Sequence, residues 1–159
     1  MARRLAALLA LAVCAPAAAT ACGGGDPPSQ DPACLASPGA IERALGRAPA
    51  PVTLDSGTRL SQCVSSARSD ADLQNTGLVL TRVADDLAAR AQRGDARAAL
   101  GLGYLVGAAR RGAAHTNGIH AELQHRMESA ARPLSEEASG SLSITRALAR
   151  GVRAGEATG

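Results

Sequence analysis

The chain is predicted to be all-α, a small up-down bundle of about four helices preceded by a disulfide-linked N-terminal pair of short helices. Three observations carry this. Apolar residues recur at helical spacing over residues 69–154, and no strand-like alternation occurs anywhere. From residue 22 onward there are six Val and three Ile, too few β-branched apolar side chains for a sheet core. Capping and stop residues fall between the periodic segments.

The elements follow in order. Cys22 and residues 23–33, GGGDPPSQDPA after the Cys, show no apolar pattern and read as a flexible tether. Ser37 followed by Pro38 starts a short helix through Ile41 and Leu45, which Gly46 stops. Residues 47–57 hold two prolines and read as loop. Thr58 is placed to cap a second short helix bearing Leu60, Cys63 and Val64. Ser69, with Asp72 three residues on, opens a long helix over 69–93 whose inner stripe is Leu73, Leu80, Val83, Leu87 and Ala91. Asp86 and Arg90 are spaced to pair along it.

Gly94 stops that helix and Asp95 caps the next, 95–111, giving an antiparallel hairpin. Residues 98–109 carry no charge, which marks the central and most buried helix. Twelve apolar residues are too few to span a membrane. A turn at Thr116-Asn117-Gly118 leads to a third long helix with Ile119, Leu123 and Met127 inward. Glu122–Arg126 and Glu128–Arg132 pair outside, and Pro133 ends the helix near Leu134. A last helix carries Ile144, Leu148 and Val152, and residues 155–159 are expected to fray. Segment 34–68 and bundle 69–154 form one domain. Its core is thin, with Val, Ile, Leu and Met totalling 25 of the 138 residues from Cys22 on.

Composition narrows function. All 17 basic side chains are Arg, Ala contributes 37 residues, and Tyr104 is the only aromatic. Past residue 21 there are 15 Arg against 14 acids, a formal +1. A nucleic-acid binder needs a basic excess, often with aromatics for stacking, so no nucleic-acid partner is expected. Aromatic sugar-binding platforms are excluded on the same ground.

Residues 1–21 read as a secretory signal peptide: Arg3 and Arg4, an apolar run from Leu5 to Val13, then small residues to Ala21. Ala19-Thr20-Ala21-Cys22 resembles the lipobox of bacterial lipoprotein precursors, and Gly23-Gly24-Gly25-Asp26 resembles their tether. The resemblance implies cleavage before Cys22 and acylation of its thiol, with the protein held by membrane lipid outside the cytoplasm, at the cell surface or in the periplasm. Ala19 stands where that family usually has Leu. Ala19-Thr20-Ala21 equally satisfies the A-x-A rule of an ordinary signal peptide. The absence of Lys fits a GC-rich genome and with it a bacterial source.

Four cysteines are present, and Cys14 leaves with the signal peptide. Lipidation of Cys22 leaves an even pair, Cys34 and Cys63, expected to form a disulfide that closes a loop of about 30 residues and adds roughly 3 kcal/mol. Neither belongs to a C-x-x-C pair, so a zinc site is not expected there.

His115, His120 and His125 stand five apart, a spacing that turns neighbours about 140° apart on a helix. Glu122 and His125 form a single Glu-x-x-His, half of a di-iron signature. Gly101, Gly103 and Gly107 inside a helix each cost about 1 kcal/mol against Ala. Gly103 and Gly107 share a face, so close helix contact is the expected use, with a ligand groove beside Tyr104 as the alternative. Arg93-Gly94-Asp95 is explained by capping, and arginines 110, 111, 146, 150 and 153 by solvated helix faces, with lipid headgroups as an alternative contact. There is no G-x-S-x-G, and S-x-x-K is impossible without Lys. No catalytic residue, metal ligand or cofactor is assigned. The expectation is a non-enzymatic, membrane-tethered interaction or structural domain, its partners membrane lipid through acylated Cys22 and another envelope protein. The alternative is a metal or small-ligand binder using Tyr104, His115, His120, Glu122 and His125.

Overall fold

A computed structural model describes residues 30–116, 118, 120–136 and 141–159. The signal segment, Cys22, residues 23–29, Asn117 and Ile119 lie outside the described residues.

Among the described residues a 3-10 turn over Pro32–Leu35 leads to six α-helices. These are α1 Pro38–Leu45, α2 Leu60–Ser66, α3 Asp70–Gln92, α4 Ala96–Ala113, α5 Ala121–Glu136 and α6 Leu142–Thr158. The class is all-α as expected, and the described residues form six helices rather than about four. Among the described residues the only β-type pairing is an isolated bridge between Thr53 and Arg59. No described helix is long and apolar enough to cross a membrane.

Local chemistry sets most of the boundaries. Ser69 Oγ accepts the Asp72 N–H at 3.1 Å while Asp72 Oδ2 accepts the Ser69 N–H at 3.3 Å, closing a capping box at the start of α3. Gly94 takes φ +94°, the left-handed conformation that ends α3 without a Cβ penalty. Asp95 Oδ1 then accepts the N–H groups of Arg97 and Ala98 at 2.9 and 3.0 Å to start α4. Thr58 does not cap α2; its hydroxyl donates to Asp31 instead. Pro133 does not end α5, which continues three residues to Glu136.

The disulfide joins Cys34 to Cys63, with Cα atoms 5.3 Å apart. It ties the 3-10 turn ahead of α1 to α2, not helix to helix. Order also begins earlier than the tether reading allowed. Gln30 is buried, its Nε2 donating to Cys63 O at 3.0 Å and to Thr76 Oγ1 at 2.6 Å.

Every residue from Ala98 to Ala109 in α4 is buried, so α4 is the axis of the molecule. Helices α1, α2, α3, α5 and α6 all pack on it. Helix α6 lies parallel to α4 and meets it backbone to backbone. A Cβ on Gly103 would strike Leu148 O and Val152 N, and one on Gly107 would strike Val152 O and Glu156 N. From the other side, Gly151 faces Leu100 O and Tyr104 N, and Gly155 faces Tyr104 O and Ala108 N. Four glycines thus form one seam. Contact this close adds dispersion and Cα–H···O attraction along both backbones. The seam lays the α6 backbone over Gly103 and Gly107, the bare surface beside the buried Tyr104.

The far end of α6 is held rather than frayed. Arg111 Nη1 donates to Glu156 O at 2.9 Å and Ala157 O at 2.6 Å, while Ser61 Oγ donates to Gly159 O. These bonds satisfy carbonyls that a helix C-terminus otherwise leaves to water. The loop over 47–57 also differs from a plain surface loop. It buries Ala48, Val52 and Leu54 in the core.

Candidate functional site

The surface feature best equipped for chemistry is an open groove of about 990 Å³ between α2, the last turn of α4 and the residues that follow it. It exists because Gly112 lets α2 cross α4 closely: a Cβ there would lie 2.5 Å from Ser61 O and 2.7 Å from Val64 Cβ. Beside this crossing Ser65, Arg68, Arg111, His115 and His120 line the opening.

The groove is basic. The Arg68 guanidinium is exposed and has no partner among the described residues. Arg111 spends Nη1 on α6 carbonyls, leaving its other donors uncommitted among the described residues. Glu156 also reaches the groove wall, but its Oε1 accepts from Arg110 Nη1 at 3.1 Å. Arg110 in turn donates from Nε to Glu128 Oε1 at 2.8 Å. That contact with Glu128 is the main reason the Arg110 guanidinium is held above its ordinary pKa. The same contact, with help from Gln124, keeps the Glu128 carboxyl low.

His120 is 2% exposed, and its Nε2 lies 2.7 Å from Ala67 O. A carbonyl only accepts, so Nε2 carries the proton and donates. Nδ1 is buried and has no hydrogen-bond partner among the described residues. Buried polar atoms are rarely left so.

The residues grouped on sequence are therefore divided. His115 and His120 share this groove. Glu122 stands on a separate groove between α3 and α5, where Arg126 Nε donates to its Oε1 at 2.8 Å and lowers its pKa. His125 lines neither. Tyr104 is wholly buried under α6. Among the described residues no three His, Cys, Asp or Glu gather in a group able to hold a metal ion. Cys34 and Cys63 are spent on the disulfide.

Two features of the site escaped the sequence. Arg68 follows a short helix and carries no motif around it. Gly112 ends a glycine-rich helix whose other glycines serve α6, so its separate role toward α2 has no sequence mark.

Compared with known protein families, with curated proteins and with solved structures, the chain matches none.

Proposed function

We propose that the chain is a lipid-anchored envelope protein whose helical domain acts by binding and not by catalysis. The observation that carries this is cysteine pairing. With Cys34 joined to Cys63, Cys22 is the one cysteine past the leader left over, and it directly follows Ala19-Thr20-Ala21. An odd thiol is a liability in an oxidising compartment, and acylation removes it. From Cys22 to Gln30 the chain is eight residues long, a reach of at most roughly 29 Å. The domain would therefore ride close against the membrane, facing other envelope proteins.

The test is intact-mass measurement of the chain extracted from host membranes, before and after reduction. The expected result is a chain that starts at Cys22, carries an acyl mass and gains two hydrogens on reduction. A chain cleaved before Cys22 without acyl mass overturns the anchor.

A second reading, a small-ligand binder, is favoured by the open groove whose lining brings Arg68 and Arg111 together with His115 and His120. It keeps His115 and His120 of the original set and leaves out Glu122, His125 and Tyr104.

A further inference from the structure

We propose that the outer face of α6 rests on the membrane, with its arginines on the phosphates of anionic phospholipid. This rests on the lipid-anchor reading and goes beyond it, since an anchor alone fixes no orientation.

The arginines that the sequence divides between solvent and headgroup are separated by the structure. Arg110 is taken up by Glu128 and Glu156, and Arg111 by the carbonyls of Glu156 and Ala157. Arg146, Arg150 and Arg153 are exposed, with no hydrogen bond or ion pair among the described residues. At 100° per residue these three and Leu142 lie within an arc of about 80°. The buried residues Ile144, Leu148, Gly151 and Gly155 occupy the opposite side of the helix.

Leu142 is 70% exposed. Glu156, the one acid of α6, stands off the stripe and is matched by Arg110. The outer face thus presents three uncompensated cations and an apolar side chain along about 17 Å of helix. That combination suits the headgroup layer. Guanidinium forks match phosphate oxygens, and a leucine beside them enters the acyl boundary.

The tether arrives at the right place. Gln30 donates to Cys63 O on α2, and Ser61 on the same helix donates to Gly159 O at the end of α6. Helix α2 has seven residues and is about 10 Å long, so it holds both ends close together. A tether of at most roughly 29 Å lets Cys22 sit in the bilayer while α6 lies on it. Docking is then an intramolecular step and needs only modest affinity. Each arginine near an anionic surface contributes about fivefold, so three favour the docked orientation by on the order of a hundredfold.

The experiment is modification by phenylglyoxal, which reacts with free guanidinium groups. The full lipidated chain is reconstituted in phosphatidylcholine vesicles with and without phosphatidylglycerol. Mass spectrometry follows each arginine, with the exposed Arg43 on α1 as internal reference. Phosphatidylglycerol is expected to slow Arg146, Arg150 and Arg153 at least about fivefold against Arg43, and ~1 M salt to abolish the slowing. Equal rates in both vesicles, with the chain floating on both, overturn the docking and leave the anchor standing. Slowing centred on Arg68 overturns it in favour of the groove as the lipid-facing side. Slowing in host membranes but in neither vesicle overturns it in favour of an acidic envelope protein. A chain that does not float with phosphatidylcholine vesicles overturns the anchor, and the docking with it.

Discussion

The hydroxyl of Tyr104 accepts the backbone N–H of Val52 at 2.9 Å, across 52 residues of sequence. It also lies 3.0 Å from Thr158 Oγ1, which itself donates to Ala154 O at 2.9 Å. Thr158 has its single proton engaged, so Tyr104 donates to it. One buried phenol thus joins the 47–57 loop, the central helix and the end of α6, with its donor and an acceptor site both used.

Tyr104→Phe keeps the ring and removes the oxygen, stranding the buried Val52 N–H. The expected loss is about 1–3 kcal/mol in urea unfolding. Thr158→Val, which strands only the phenol proton on the same network, should cost no more than that. A Tyr104→Phe protein as stable as wild type would mean that the loop is not held through this bond.

Glycines in α4 should respond in opposite ways to a single methyl. Gly103→Ala drives a Cβ into the α6 backbone and is expected to cost more than about 3 kcal/mol or to prevent folding. Gly101→Ala meets Leu87 Cδ1 at 3.6 Å and Leu45 Cβ at 3.7 Å, ordinary contacts, and should gain up to about 1 kcal/mol from helix propensity. Melting temperatures of the two variants check this directly. Similar shifts for both would disprove the seam.

Reduction of Cys34–Cys63 should lower stability by roughly 3 kcal/mol. Both cysteines are 1% exposed or less, so a mild reductant should act slowly on the folded chain and quickly in urea. Following free thiol release in both conditions tests the burial. Equal rates would contradict it.

Acid should loosen the hinge between α3 and α4. The N–H of Ala98, then Arg90, hold the Asp95 carboxyl below the ordinary aspartate value of about 4. A carboxyl held low in the folded chain binds fewer protons there than in the unfolded chain. Its contribution is therefore complete above about pH 4 and is lost as pH falls through the lower folded value. The same direction holds for Asp72, chiefly through Ser69. Asp95→Asn should lower the urea midpoint at pH 7 and flatten its decline between about pH 4 and pH 2. A decline parallel to wild type would remove Asp95 from the acid response.

Much of the helical scaffold can be read from the chain because caps and stops act locally. Ser69 with Asp72, Gly94 and Asp95 bound α3 and α4 within two residues of where spacing alone puts them. Pairing across elements is less legible. Asp86 pairs back to Arg82 at 3.1 Å, because Arg90 turns to Asp95 at 2.9 Å and Glu42 at 3.2 Å. Glu128 is likewise taken by Arg110 from α4. On α6, the large residues Ile144, Leu148 and Val152 draw attention to one stripe, while the tightest contact runs through Gly151 and Gly155 beside it. An absent side chain marks a contact face only once the partner helix is known. Within the groove, His115 and His120 stand out by residue type. Arg68 reaches them only through the corner between α2 and α3.

The glycine seam between α4 and α6 also bears on how stability varies with temperature. Joining two helices through bare backbone buries little apolar side-chain area, and little rotamer freedom is frozen in doing so. Unfolding then exposes less greasy surface than a leucine-packed interface would, and the heat-capacity increment should fall below the usual ~12–15 cal/mol/K per residue. A small increment flattens the stability curve. The two helices should stay joined over a broad range of temperature at a modest maximum, so that cooling strengthens this domain little and warming weakens it slowly.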